Sequence, residues 1–361
     1  MSTNKLVMTI FITGATGYIG GSVLQRLLDH PKRANYEITA LVRDPSKAIR
    51  LQAEFGVKTT VGSLQDLDKL SALAEDAHVV IHTADNNDIG AINAILSCLK
   101  VRHDKTGDLP LLIHTSGGGA LLDDARGAHA SAPIYSDLDL ASLDALPPTA
   151  FNRAVDHAVV AADAAGYART HIVSPSLIYG AASGALVRAG LANAHNVAIG
   201  QIVRSALRHG EVAVLGKGAS VWADVHIDDA ADLYIRLFDA LLDNPETVSH
   251  GHDGYFFVEN GEFSMVAVLT AVADALFALG RIPSGELVSR SEAEMGAYYG
   301  SPIFVKVLYG NSRCKAERAR RELGWAPTHA AQDFVEGLRA EVESLVEENE
   351  ASKSSGRFER S

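Results

Sequence analysis

Glycines stand at positions 14, 17 and 20 in the stretch Thr13-Gly14-Ala15-Thr16-Gly17-Tyr18-Ile19-Gly20, each separated from the next by two residues. An apolar run over residues 7–12 precedes them and an apolar periodic segment over residues 18–28 follows, an order that reads as strand, tight turn and helix. Glycine serves such a turn because the backbone bends sharply, comes close to a diphosphate and lets the helix pack tightly on its strand. The helix N-terminus then offers free N–H donors to the phosphates. The stretch is therefore a candidate dinucleotide cradle formed by Gly14, Thr16, Gly17, Tyr18, Ile19 and Gly20. Ordinary turn chemistry is the plainer alternative, and the flanking strand and helix weigh against it.

Arg43 closes the next strand-like run, at the place where an acidic residue would accept hydrogen bonds from ribose hydroxyls and select NAD(H). A guanidinium there pairs with a 2′-phosphate and lies against the adenine face, which points to NADP(H). The neighbouring Asp44-Pro45-Ser46-Lys47 reads as a helix start with Asp44 as its cap, so that carboxylate has a structural task of its own.

These groups need a scaffold. Runs rich in β-branched residues at 7–12, 37–42, 57–61, 78–82, 111–114 and 171–173 alternate with helical patterns, which predicts an α/β fold, a doubly wound parallel sheet of the Rossmann type. Beyond Gly180 the alternation becomes irregular, with helices expected near 196–209, 228–242 and 264–279 and a strand at 212–215. This pattern fits a smaller, interleaved α/β substrate lobe. The expected division is a cofactor domain over 1–180 with a return near 220–240, a substrate lobe over 181–219 and 241–345, and a charged, serine-rich disordered tail over 346–361. Asp228 reads as a helix cap and His226 as a structural residue.

The chain of 361 residues is 47% hydrophobic and carries a net charge of −12, which supports a large core and argues against a phosphate-tracking nucleic-acid binder. With neither a membrane-spanning apolar run nor a secretory signal, it reads as a soluble cytoplasmic protein acting on a small molecule, with no membrane partner. The two cysteines, Cys98 and Cys314, read as free thiols, and the fourteen histidines show no metal-ligand spacing, so no metal is assigned.

The glycine spacing, with two residues in the first gap, resembles that of the extended and atypical short-chain dehydrogenase/reductase superfamily. Ala40-Leu41-Val42-Arg43-Asp44, Ile81-His82-Thr83-Ala84, Ile113-His114-Thr115-Ser116, Pro175-Ser176-Leu177-Ile178-Tyr179-Gly180, Val225-His226-Ile227-Asp228-Asp229 and Leu323-Gly324-Trp325 continue the resemblance in the expected order. It implies that Ser63 and Leu64 lie beside adenine, that Thr83 and Ala84 line the path of the cofactor ribose, and that Pro175 and Ser176 border the nicotinamide. Ser63 stands where many such relatives carry an aspartate.

The resemblance also implies a tyrosine four residues before a lysine on one helix, with a Ser or Thr after the fifth strand to orient a carbonyl. Ser116, or Thr115 beside it, matches the last position. Phe151 and Val155 fall at the places of the tyrosine and lysine, and neither transfers a proton. Three readings remain open. A reductase can recruit another acid, for which Tyr135 in the long segment 117–150 is the leading candidate. Chemistry without a tyrosine acid, including isomerisation or dehydration, is the second. An NADP(H)-binding redox sensor, as among NmrA-like relatives, is the third.

Overall fold

In the computed structural model, which describes residues 7–330 and 332–354, the predicted alternation becomes a parallel sheet of seven strands. Its first half runs β1 (Met8–Thr13), α1 (Tyr18–Leu28), β2 (Tyr36–Val42), α2 (Pro45–Phe55), β3 (Lys58–Val61), α3 (Leu67–Glu75), β4 (Val79–His82), α4 (Ile89–Thr106) and β5 (Leu111–Thr115). After β6 (Tyr135–Ser136), α5 (Leu140–Asp144) and α6 (Arg153–Ala164), the chain returns to the sheet as β7 (Arg169–Pro175). The second half contains β8 (Leu177–Tyr179), α7 (Ala185–Arg188), α8 (Val197–His209), β9 (Val212–Leu215), β10 (Val221–His226) and α9 (Ile227–Asp243). It continues with β11 (Tyr255–Val258), β12 (Gly261–Ser264), α10 (Met265–Ala278), β13 (Leu287–Arg290), α11 (Glu292–Tyr299), α12 (Pro302–Tyr309), β14 (Cys314–Lys315), α13 (Glu317–Leu323) and α14 (Gln332–Ser354).

The strand order is β11-β7-β5-β4-β1-β2-β3. Ile10, Phe11 and Ile12 of β1 and all of β4 are buried, as expected for strands covered by helices on both faces. The chain leaves β1 in one direction to form β2 and β3, then crosses back to place β4 on the other side of β1. A crevice opens beyond the strand ends at such a reversal.

The second lobe has its own core. Phe334, Leu338, Val342 and Leu345 form one buried stripe along α14, packed with Ile199, Ile202 and Val203 of α8 and Leu269, Val272 and Leu276 of α10. Small sheets attach to this lobe: β12-β10-β8, and the parallel pair β13-β9.

The lobes interleave more finely than the sequence pattern predicts. Residues 241–345 were expected to belong to the substrate lobe, yet β11 is the outermost strand of the main sheet beside β7, and Cys314, Ala319 and Trp325 pack in the first core. The physical reason is that the edge of β7 needs a partner, and the apolar run Tyr255–Val258 supplies one. At the start of α9 the cap is His226, whose ring accepts from the Asp228 backbone N–H at 3.2 Å; Asp228 was expected there and instead pairs with Arg26. The charged end of the chain was expected to be unstructured from residue 346, but α14 continues to Ser354, extending a helix whose earlier turns are anchored in the second core. Residues 355–361 lie outside the described residues. Among the described residues no helix is long and apolar enough to cross a membrane.

The tightest backbone approach at a described glycine lies at Gly20 of α1, where an added Cβ would stand 2.3 Å from both the Gly14 carbonyl oxygen and Thr83 Oγ1. Gly337, exposed on α14, would meet nothing within 4 Å. Thermal and urea denaturation should therefore show Gly20→Ala less stable by about 1–3 kcal/mol through overpacking, and Gly337→Ala more stable by about 0.5–1 kcal/mol through helix propensity. Equal stability of the two variants would contradict the tight approach.

Candidate active site

Two adjoining cavities occupy the crevice at the ends of β1 and β4. The larger, of about 540 Å³, is lined by Gly14, Thr16, Gly17, Leu41, Arg43, Ser63, Leu64, Thr83 and Ala84, among others. The second, of about 360 Å³, is lined by Gly17, Tyr18, Ile19, Gly20, Thr83, Ser116, Pro175, Ser176, Leu177, Ile178, Trp222 and Leu308, among others. They share Gly17 and Thr83, so together they form one groove. All the cofactor-binding candidates read from the sequence line this groove, and Ser116 stands at its far end.

The turn is built for close approach. Gly14 has φ +71°, a left-handed conformation that a side chain would strain, and its carbonyl accepts from the Gly17 N–H at 2.8 Å. Thr83 Oγ1 donates to the Thr13 carbonyl at 2.7 Å and so ties the end of β4 to the end of β1. No side chain caps Gly17 at the start of α1, and the first turn of the helix holds no acidic residue. Its N–H groups are thus available to an anion.

At the outer end of the groove, Arg43 is exposed and makes no hydrogen bond or ion pair with the described residues. Asp44 beside it caps α2, accepting from Ser46 N at 2.8 Å and Lys47 N at 3.3 Å, and the Ser46 hydroxyl together with these N–H groups holds its carboxyl below the usual range. Ser63 has its hydroxyl committed to a local turn, donating to Asp66 Oδ2 at 3.1 Å. The Ser176 hydroxyl donates to the Val258 carbonyl at 2.7 Å, fixing this part of the groove wall to β11. Tyr179 is structural, its hydroxyl donating to Ala330 O at 3.1 Å.

Ser116 follows β5 and is buried. Its hydroxyl donates to Asp156 Oδ2 at 3.0 Å and accepts from Asn152 Nδ2 at 3.3 Å. Asn86 Nδ2 donates to the Ser116 carbonyl at 3.0 Å, and Asn87 Oδ1 accepts from Asn152 N at 3.0 Å. Asn152 has φ +67° and is the N-cap of α6. Burial pushes the Asp156 carboxyl up to about 7, against the opposing pull of the Ser116 hydrogen bond and Arg153. Behind it His114, held well below the ordinary imidazole range by burial, places Nε2 3.8 Å from Asp156 Oδ1 and stacks on His82 at 5.3 Å.

Asn152 and Asp156 are the residues four apart that face Ser116, and the sequence reading missed both. Val155 is in the core, and Phe151 packs over Gly119 with Lys306 Nζ 5.6 Å from its ring centre. The signal was present as an Asn-x-x-x-Asp spacing, one residue out of phase with the pair that was sought. Thr115 is occupied structurally, its hydroxyl 2.7 Å from Tyr234 OH. Tyr135 is not brought to the site: it lies in β6, paired with Cys314 of β14, and lines neither cavity.

Among the described residues, His226, Asp228 and His329 bring ligand atoms within 4.8 Å of one another. The two imidazoles are stacked, with centres 3.6 Å apart and planes 18° apart. Their lone pairs lie in near-parallel planes, so a single ion cannot sit in the plane of both rings, and His329 Nδ1 is already engaged with Asp229 Oδ2 at 2.9 Å. The arrangement fits ring stacking at the start of α9 better than metal ligation.

Comparison with known proteins agrees with this architecture. The sequence model of the NmrA-like family matches residues 7–96, which hold the glycine turn and Arg43. A curated relative, "Oxidase ucsJ" from Acremonium sp, is 32% identical over 333 residues, covering 88% of this chain and 92% of the relative. Among solved structures, UDP-glucuronic acid 4-epimerase from Bacillus cereus, in a complex with NAD, superposes with a TM-score of 0.62 at 15% identity, covering 94% of this chain and 99% of that one. DesIV, a dTDP-glucose 4,6-dehydratase from Streptomyces venezuelae with NAD bound, gives a TM-score of 0.64 at 15% identity over 95% of this chain and 98% of that one. Such distant likeness carries the fold, while the relative similar over nearly its whole length carries kinship: the chain belongs to the extended, atypical short-chain dehydrogenase/reductase superfamily that includes NmrA-like proteins and the epimerases and dehydratases.

Proposed function

We propose that the chain is an NADP(H)-dependent oxidoreductase acting on a small, uncharged and largely apolar molecule, working without a Tyr-x-x-x-Lys pair. The observation that carries this reading is the single groove running from Arg43 past the glycine turn to the Ser116 hydroxyl. Beside it the glycine turn packs so closely on Thr83 that only backbone fits, the tight strand-to-helix packing a diphosphate-binding turn requires. A nicotinamide dinucleotide is also bound by the epimerase and dehydratase neighbours, and a relative carries the name oxidase.

The groove's two ends support the finer choices. Arg43 has its guanidinium free for a 2′-phosphate, while the neighbouring Asp44 is engaged in capping and poorly placed to select ribose hydroxyls. At the other end, none of the described residues lining the smaller cavity is charged, and Pro175, Leu177, Ile178, Val197, Trp222 and Leu308 offer apolar surface. An anionic substrate would lose its hydration there without a compensating partner. A nicotinamide held beside Pro175 and Ser176 supplies hydride chemistry. The chain's own part is to exclude water with the apolar wall and to orient a substrate oxygen at the Ser116 hydroxyl. A purely regulatory role would not need a hydroxyl backed by a buried carboxyl at the end of the groove.

Calorimetric titration should show Arg43→Ala binding NADPH about 10- to 100-fold more weakly, the equivalent of one charge-assisted pair, with NADH affinity unchanged; equal losses for both would remove Arg43 from 2′-phosphate recognition. Turnover of any substrate found by screening neutral carbonyl compounds with NADPH should survive Tyr135→Phe intact, since Tyr135 lies outside the groove, and should fall in Ser116→Ala. The reverse pattern would place the acid on Tyr135.

A further inference from the structure

Four residues that carry a hydroxyl line the smaller cavity, Tyr18, Thr83, Ser116 and Ser176. Three of them donate to backbone carbonyls: Tyr18 to Gly180 at 2.5 Å, Thr83 to Thr13 at 2.7 Å and Ser176 to Val258 at 2.7 Å. A carbonyl oxygen accepts a hydrogen bond but has no proton to return. Ser116 alone among them donates to a group that can hold a proton, the Asp156 carboxyl at 3.0 Å.

We propose that Asp156, hidden behind Ser116 on α6, stores the proton of the reaction and exchanges it with the substrate oxygen through the Ser116 hydroxyl. This rests on the oxidoreductase reading above. Asp156 does not line the cavity and is 1% exposed, so it acts only through Ser116, which touches the substrate. In the reducing direction a carbonyl carbon gains hydride from a reduced nicotinamide, which is thereby oxidised. The carbonyl oxygen takes the Ser116 proton, and Ser116 Oγ takes the proton of Asp156, leaving a carboxylate. Once the alcohol leaves, a proton from solvent returns to Asp156 through Ser116 and the open cavity. The sum is one carbonyl, one reduced nicotinamide and one proton converted to one alcohol and one oxidised nicotinamide.

The surroundings of Asp156 suit this exchange. Asn152 donates to one lone pair of Ser116 Oγ and leaves the other to accept from Asp156 when the carboxyl is protonated and the Ser116 proton turns to the substrate. From β5, His114 approaches Asp156 Oδ1 to 3.8 Å, and burial beside His82 keeps His114 neutral. From its own helix Arg153 favours the carboxylate, although the Arg153 guanidinium is also held by Tyr255 OH of β11 at 3.2 Å. Tyr255 also faces this carboxyl, and is pushed upward mainly by burial and then by the charge of Asp156. Asp156 Oδ1 has no hydrogen-bond partner among the described residues, so hydrogen-bond support for the charged form reaches only Oδ2.

The test joins a titration of the carboxyl itself with a rate profile. Carbon-13 NMR of protein labelled at aspartate Cγ should show, beside the similarly raised Asp224 and Asp137, a carboxyl titrating near neutrality that is absent in Asp156→Asn and shifted in Ser116→Ala. NADPH-dependent reduction of two neutral probes, 4-nitrobenzaldehyde and 9,10-phenanthrenequinone, should fall as pH rises through that midpoint, because the donor form is the protonated carboxyl. Asp156→Asn should lose about 10²- to 10⁴-fold in rate and show a flat profile over the same range. A carboxyl that titrates in the ordinary acidic range, or ignores Ser116→Ala, overturns the relay, as does an Asp156→Asn variant with the native pH profile. If that variant fails to fold, the native and Ser116→Ala titrations decide. A near-neutral carboxyl in a protein that binds NADPH but reduces neither probe overturns the oxidoreductase reading, and the relay falls with it.

Discussion

The close approach of the β1–α1 turn to the end of β4 is the constraint on which the rest of the structure depends. With backbone at Gly14 and Gly20 pressed against Thr83, there is no volume for a single Cβ, and the axis of α1 is thereby aimed at the crevice between β1 and β4. Thr83 and Gly17 belong to both cavities, so this contact also decides that the groove is continuous. Loosening it would move the helix N-terminus and separate the Arg43 end from the Ser116 end.

The second lobe is held to this frame by buried polar groups that find all their partners. Asp229 accepts from Thr328 N and His329 N at 2.9 and 3.0 Å, and its carbonyl accepts from Trp325 Nε1 at 2.9 Å. Asp137 does the same for the long segment after β5, accepting from Phe257 N, Glu317 N and Arg318 N at 3.0, 3.0 and 2.9 Å. That segment is thus fastened to β11 and α13. Near its start Gly118 lies close to Trp222, on the wall of the smaller cavity, while Tyr135 is held in β6 against Cys314 of β14. A buried carboxylate with several backbone donors is costly to lose, because each freed N–H would remain dry and unpaired.

Around Ser116 the same rule is relaxed. Both nitrogens of His114, Nε2 of His82 and Oδ1 of Asp156 lack partners among the described residues. Each such group costs on the order of 1–3 kcal/mol, a cost also met at other buried sites, both oxygens of Asp224 among them. Elsewhere the buried carboxylates Asp137 and Asp229 serve attachment, and they are fully engaged. Asp137 and Asp229 hold segments together through every oxygen, while the Asp156 carboxyl keeps one oxygen unpaired behind Ser116.

Much of this protein was legible in local sequence. The glycine spacing, the β-branched runs and the Asp44-Pro45 cap each depend on a few neighbouring residues, and the sheet, the turn and the capped helix formed where they predicted. Arg43 and the cofactor candidates reached one groove because the strand ends carry them there. The strand order brought β11 to the sheet edge across a long stretch of chain, which no local period announces. The phase of α6 was likewise settled outside the helix. Asn152, held in a left-handed conformation by contacts to Asn87 and Ser116, starts the helix so that Asn152 and Asp156 face the site while Phe151 and Val155 do not. One residue of phase turns a helix by about 100°, and only long-range contacts choose it. Sequence by itself determined the cradle and its scaffold; tertiary structure decided which carboxyl stands behind Ser116, because that depends on packing between elements distant in the chain.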